Sequence, residues 1–75
     1  MALGYQSRRE APPVMKLGTI LRETEKSYKA RINGVVTPLI LPKSQVDFFE
    51  TAVENGERIG HFQIPGWLAR KEGLL

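Results

Sequence analysis

The clearest pattern along the chain lies between residues 28 and 41. Apolar side chains alternate with polar ones over its first half: Tyr28, Ala30 and Ile32 against Lys29, Arg31 and Asn33. This two-residue period is typical of a strand with one buried face. Asn33-Gly34 suits the two positive φ angles of a type I′ turn, so the pattern predicts a β-hairpin whose second arm is residues 35–41. Pro38 cannot donate to a ladder, so that arm lies at a sheet edge there or its nitrogen faces away from a neighbour.

A second strand is predicted before this hairpin. Residues 14–22 are rich in apolar side chains, but their spacing is too irregular for a clean alternation and too short for a helix. Gly18 lies in the middle of the segment, where a glycine often marks a bend or bulge. We therefore expect a strand that bends at Gly18.

Two interpretations of residues 44–55 conflict. In the first, Ser44 is an N-cap, Val46, Phe49 and Val53 form one helical face, and Asn55-Gly56 ends the helix. In the second, residues 45–49 form a strand that returns through a turn at residues 54–57 to a partner strand, residues 58–64. In that interpretation, Ile59 does not share a face with Phe62 and Ile64 unless the strand has a bulge at Gly60. Local rules favour the helix.

The C-terminal residues predict a short helix with a defined beginning and end. Pro65 suits its first position, because the missing N–H has no intrahelical partner there. Gly73 suits the left-handed position after the last turn, which lets Leu74 fold back onto Leu68. We expect Trp67 and Leu68 to pack on the sheet. We also expect most other aromatic side chains to lie in the core: Phe48, Phe49 and Phe62.

Composition limits the chain to one small domain. Its 75 residues contain no Cys, so neither disulfides nor thiolate metal sites contribute. No apolar run approaches the ~20 residues that span a bilayer, and the first residues lack a signal-peptide core, so we expect a cytoplasmic protein with no membrane partner. Residues 1–13 carry little apolar surface, which predicts a mobile N-terminal arm before a domain at residues 14–75.

The charges are distributed unevenly. Residues 1–45 carry eight basic and three acidic side chains, net +5, whereas residues 46–57 carry four acidic and no basic side chains, net −4. A basic surface attracts polyanions. The candidate nucleic-acid contacts lie in and around the hairpin: Arg22, Lys26, Lys29, Arg31 and Lys43. Single-stranded sites usually add exposed aromatic side chains, and Tyr28 points away from Lys29 and Arg31.

The acidic stretch supports an alternative function, a protein-binding inhibitor or adaptor that contacts a host protein. Its candidate residues are Asp47, Glu50, Glu54 and Glu57. If residues 44–55 were helical, three of these carboxylates would simply line a solvated face. Nothing in the sequence indicates an enzyme, because no glycine-rich phosphate loop is present and His61 has no neighbouring partner for general-base or metal chemistry. We expect no catalytic residue, metal or cofactor.

Three segments together resemble a small module found in bacterial and phage proteins. They are ETEK at residues 23–26, LPKSQV at residues 41–46 and IPGWLARKEGL at residues 64–74. The resemblance covers about residues 20–75. It implies a small β-rich fold closed by the C-terminal helix, it favours the strand interpretation of residues 45–49, and it brings no catalytic residue with it.

The sequence as a whole predicts an α+β fold, a small twisted antiparallel sheet or partly open barrel with a short C-terminal helix. The expected function is that of a non-catalytic binding module of a bacterium, phage or mobile element. Its expected partner is nucleic acid or a nucleoprotein complex, with a host protein as the alternative. Nothing in the sequence defines the oligomeric state.

Overall fold

The structure is a computed structural model that describes residues 11–75. These residues form one antiparallel sheet of five strands and one short helix. Most of the predicted N-terminal arm, residues 1–10, lies outside the described residues. The elements are β1 (Val14–Glu23), β2 (Ser27–Ile32), β3 (Leu39–Pro42), β4 (Asp47–Glu54), β5 (Glu57–Ile64) and α1 (Gly66–Lys71).

The strand order in the sheet is β3-β2-β1-β5-β4, and every neighbouring pair is antiparallel. β3 and β4 are the edges, so the sheet is not closed. β1 lies at its centre, between β2 and β5. Helix α1 is far too short to cross a membrane, and it is the one helix among the residues described.

The two faces of the sheet differ sharply. The inner face, which α1 and Leu74 cover, carries the hydrophobic core. Its buried side chains come from four strands, the β3–β4 connection and the C-terminal segment: Ile20, Ala30, Ile32, Leu41, Val46, Phe62, Ile64, Leu68, Ala69 and Leu74. The outer face, which carries Met15, Leu17, Phe49 and His61, has no second layer among residues 11–75.

Three aromatic rings meet on the inner face. The ring of Phe62 lies 4.7 Å from that of Phe48 and 5.7 Å from that of Tyr28. Tyr28 and Phe48 belong to β2 and β4, which are separated by two strands and would lie about 14 Å apart in a flat sheet. Their ring centroids are only 6.0 Å apart. The sheet therefore curves towards its inner face around Phe62.

The helix predicted for residues 44–55 is wrong, and the strand alternative is confirmed. Asp47–Glu54 forms β4, which pairs with β5 at every residue except Thr51. β-branched and aromatic side chains such as Phe48, Thr51 and Val53 suit a strand, and pairing with β5 outweighs the local capping signal at Ser44. Ile59 lies on the face opposite Phe62 and Ile64, as that alternative required.

The type I′ turn predicted at Asn33-Gly34 is found instead at Asn55-Gly56. Asn55 and Gly56 have φ of 53° and 81°, and they join β4 to β5 in the two-residue type I′ manner. At the predicted site, φ is positive at Gly34 but not at Asn33, the pattern of a type II turn. The second arm of that hairpin is also shorter than predicted. β3 begins only at Leu39, directly after Pro38, and is an edge strand.

The irregular positions in the sheet are not the predicted ones. The register of β1 against β2 shifts at Leu21, not at Gly18, and the register of β4 against β5 shifts at Thr51, not at Gly60. Gly60 has a different role. A Cβ at this position would lie 2.1 Å from the carbonyl oxygen of Phe49, so the close approach of β4 and β5 requires a glycine there.

The C-terminal helix is confirmed, with two corrections. Gly73 has a φ of 77°, and the amide of Leu74 donates to the carbonyl of Ala69, which completes a Schellman motif. Pro65 lies at the N-cap, one position earlier than predicted. Trp67 is 50% exposed and was wrongly predicted to be buried, because Leu68 and Ala69 supply the buried side of this short helix.

The core has a direct stability test. We expect Phe62→Ala to cost about 3–5 kcal/mol, comparable with the whole stability of so small a domain. Trp67→Ala should cost less than about 2 kcal/mol, because half of that side chain is already in water. Urea denaturation followed by circular dichroism measures both. A larger loss for Trp67→Ala than for Phe62→Ala would contradict the placement of the core.

The two turns can be compared with one matched substitution. Asn55→Ala should cost about 1 kcal/mol, because alanine is strained at positive φ. Asn33→Ala should cost about 0.5 kcal/mol or less, because Asn33 does not adopt that conformation. Thermal unfolding of the two variants decides the point. Equal losses would show that the type I′ turn is not confined to Asn55-Gly56.

Candidate nucleic-acid interface

Three basic side chains lie together on the outer face. Arg22 of β1 and Lys29 of β2 are direct cross-strand partners, and Arg31 follows two residues along β2, about 7 Å from Lys29. All three are exposed. The prediction that Lys29 and Arg31 project away from Tyr28, Ala30 and Ile32 is confirmed by the register. We call Arg22, Lys29 and Arg31 the basic stripe.

No member of the basic stripe forms an ion pair with any residue in the range 11–75. Their charges are therefore available to a ligand without the loss of an internal partner. Lys26 extends the stripe, since it is exposed in the tight turn between β1 and β2. The hydroxyl of Thr24 accepts hydrogen bonds from the amides of Lys26 and Ser27 and so fixes that turn.

Lys43 does not join the stripe. Its ammonium group pairs with the Glu23 carboxylate at 2.5 Å and lies 5.1 Å from the centre of the Tyr28 ring, on the inner side of the sheet. Its backbone amide also donates to the carbonyl of Lys26. The backbone of Lys43 thus lies beside Lys26, but its ammonium group is directed to the inner side of the sheet and has an internal partner.

Glu23 and Lys43 belong to a four-residue charge cluster at the edge of the aromatic core. Arg58 donates from Nη1 to Glu23 at 2.8 Å and from Nε to Glu50 at 2.6 Å. Its guanidinium carbon lies 5.3 Å from the centre of the Phe48 ring. The hydrogen bond from Lys43, aided by the positive charges of Lys43 and Arg58, lowers the pKa of Glu23. The hydrogen bond to Glu50 raises the pKa of Arg58.

The predicted acidic set is divided between the two faces. Glu50 lies on the inner face, paired with Arg58. The others are exposed on the outer face: Asp47 at the start of β4, and Glu54 and Glu57 as partners across the β4–β5 turn. The outer face therefore carries positive charge on β1 and β2 and negative charge at the two ends of the β4–β5 hairpin.

An exposed aromatic side chain lies on the same face as the basic stripe. Phe49 is 49% exposed and pairs directly with His61, which in turn pairs with Leu17. The sequence predicted Phe49 in the core and indicated no role for His61. The strand alternative for residues 45–49 already contained a signal that Phe49 is exposed. In a strand, neighbours such as Phe48 and Phe49 point to opposite faces, so only one of them can be buried.

A shallow hollow of about 200 Å³ lies beside Arg31 of the basic stripe and Leu17, the cross-strand partner of His61. Leu17, Thr19, Arg31 and Ile59 line it from the outer face, and residues 33–35 of the turn after β2 line it from the side. The lining of the hollow thus includes apolar residues, the cation Arg31 and the amide residue Asn33. A planar ring with hydrogen-bonding groups at its edge suits such a lining.

A second groove, of about 260 Å³, lies beside the exposed face of Trp67. Ala11, Pro13, Asp47 and Gln63 also line it. This groove is at the end of the sheet where β1 begins, whereas Arg22 is near the end of β1, about 26 Å away. Trp67 therefore does not contribute to the site formed by the basic stripe.

Within residues 11–75, no group of three or more His, Asp or Glu side chains is arranged to hold a metal ion. In comparisons with protein-family models, curated proteins and solved structures, nothing matches this chain.

The charge cluster predicts a pH-dependent stability. The pKa of Glu23 is lower in the folded chain than in the unfolded chain, so its contribution is present above the unfolded pKa and is lost as the pH falls through the folded pKa. Glu23→Gln should therefore lower the melting temperature at pH 7, and the difference from the parent should shrink in acid. Thermal melts from pH 7 to pH 2 measure this.

Glu25→Gln is the matched control, because Glu25 lies exposed in the adjacent turn and pairs with no cation among the described residues. It should leave the melting temperature close to that of the parent across the same range. Parallel melting curves for Glu23→Gln and Glu25→Gln would contradict a stabilising role for the cluster.

Proposed function

We propose that this chain is a non-catalytic binding module that binds nucleic acid, either free or within a nucleoprotein complex, through the basic stripe. The observation that carries the proposal is the position of Arg22, Lys29 and Arg31. They lie side by side on an uncovered sheet face, exposed and without internal ion pairs among residues 11–75.

Phosphate groups are the ligands that such an arrangement suits. Each neutralised phosphate releases condensed counterions, which supplies sequence-independent affinity without any deep pocket. Lys29 and Arg31 follow one another along β2, Lys26 extends that row into the turn, and Arg22 flanks Lys29 on β1. A row of cations matches a linear polyanion better than it matches a single compact anion.

The biological setting proposed for this activity comes from the resemblance to a module of bacterial and phage proteins. We accordingly place the activity in the cytoplasm of a bacterium, where phage and mobile-element proteins also meet nucleic acid. The proposal for residue roles is independent of that setting, because it uses only the charges and exposure of the outer face.

The decisive variant removes two charges from the stripe. Lys29→Gln with Arg31→Gln should weaken binding to unrelated oligonucleotides alike and reduce the log–log salt slope by about 1.4–1.8, at ~0.7–0.9 per phosphate. Fluorescence anisotropy between about 25 and 200 mM salt measures the slope. Both side chains are exposed, so the fold should be retained, as circular dichroism will show.

The control removes the same number of charges elsewhere. Arg70 and Lys71 are exposed on α1, beyond the inner face, so Arg70→Gln with Lys71→Gln should leave the salt slope unchanged. An equal effect of the two double variants would mean that net charge, not the stripe, determines binding.

A host-protein partner makes the opposite prediction. Asp47, Glu54 and Glu57 are exposed on the outer face, so charge reversal at Glu54 and Glu57 would then slow association, whereas the Lys29 and Arg31 changes would have little effect. Binding to no oligonucleotide at tens of micromolar protein, together with nuclease-resistant capture of one host protein, would replace our proposal with this one.

A further inference from the structure

We infer that the outer face binds single-stranded rather than double-stranded nucleic acid, with phosphates on the basic stripe and unpaired bases in the outer-face hollow and on the Phe49 ring. This inference rests on the proposed function and adds the class of nucleic acid and the residues that contact bases.

Phe49 presents an aromatic ring on the outer face. This ring is 49% exposed and lies on the same face as the basic stripe, where a base can reach it. Phe49 lies beside His61 on the neighbouring strand, so two flat rings share one patch. Every base offers a flat face to such rings, but only an unpaired strand can present that face.

The cations, the hollow and the two rings follow one another across the outer face of the sheet. Going from β2 to β4, the outer face presents Arg31, then the hollow lined by Thr19 and Ile59, and then the His61 and Phe49 pair. Three strand spacings separate β2 from β4, so on this convex outer face the two sides are at least about 14 Å apart. A few nucleotides crossing the strands would therefore contact cations at one side and rings at the other.

The outer face also carries negative charge beyond the basic stripe. Asp47 and Glu54 lie on β4 and Glu57 lies at the start of β5, where they would repel a second line of phosphates. A duplex carries two phosphate backbones, and one of them would have to lie over these carboxylates. A single strand can keep its phosphates over Arg22, Lys29 and Arg31 and direct its bases towards β4.

The test uses the full chain and four labelled probes: oligo(dT) of 20 nucleotides, the oligo(rU) equivalent, a duplex of the same length, and an oligonucleotide with abasic sites in place of the bases. Phe49→Leu removes the ring but keeps an apolar side chain, and Phe49→Tyr keeps the ring. Val53→Ala is the matched control, because Val53 is similarly exposed on β4 but lies on the inner face.

We expect the parent to bind oligo(dT) or oligo(rU) more tightly than the duplex or the abasic strand. Phe49→Leu should weaken binding to the base-bearing single strands by about 5-fold to 150-fold, the range for losing one stacked base. The same variant should leave abasic and duplex binding unchanged. Phe49→Tyr and Val53→Ala should bind like the parent, and thermal melts should show all three variants folded.

Three results would overturn the inference. If Phe49→Leu binds single strands like the parent while the Lys29 and Arg31 variant fails, the proposed function stands and base stacking on Phe49 is rejected. If the duplex binds as tightly as the single strand, the single-strand assignment is rejected. If no probe binds and light scattering shows a parent dimer that Phe49→Leu converts to a monomer, the outer face is a contact between two copies, and both proposals fail.

Discussion

Phe62 lies fully buried at the middle of the inner face, where rings from β2 and β4 contact it across the curved sheet. A chain of this size has enough apolar side chains for only one thin core, and that core lies on one side of the sheet. The curvature around Phe62 lets two strands that are not neighbours share that core. The ion pair between Lys43 and Glu23 closes one edge of this core beside Tyr28. The short helix then needs to contribute only Leu68 and Ala69 to cover what remains.

Burial on one side leaves the other side uncovered, and this is why the candidate site lies there. The side chains that α1 cannot cover include Leu17, Phe49 and Ile59, and the basic stripe lies on the same surface. Most of these charged and apolar groups are therefore held on one curved sheet surface by backbone hydrogen bonds between strands. A rigid arrangement loses little conformational entropy when a ligand binds. The location of the candidate site is therefore a consequence of a core that is buried on one side of the sheet only.

Local patterns predicted the parts of this fold that depend on local chemistry. The alternation over residues 28–32 gave β2 and the side on which Lys29 projects, and Gly73 gave the end of the helix. The helix predicted for residues 44–55 does not form. Its capping signal is local, whereas pairing with β5, which follows in the chain, stabilises a strand instead. The predicted burial of Trp67 was wrong for a related reason. Packing against the sheet determines which side of the helix is buried, and here that side carries Leu68 and Ala69. Sequence proximity grouped Lys43 with the other basic residues, because it cannot show that Glu23 lies within reach of the Lys43 ammonium group. The exposure of Phe49 was not predicted, because that residue was expected on a buried face.

The bulge at Thr51 has a further consequence for the edge of the sheet. β4 is the longer of the two edge strands, and an unprotected edge of eight residues offers free backbone groups to a strand from another molecule. The bulge interrupts that row of groups, and the carboxylates of Asp47, Glu50 and Glu54 make docking of a similar edge unfavourable. The opposite edge, β3, is only four residues long and ends in Pro42. Protection of both edges disfavours growth of the sheet by strand addition and so lowers the risk of aggregation.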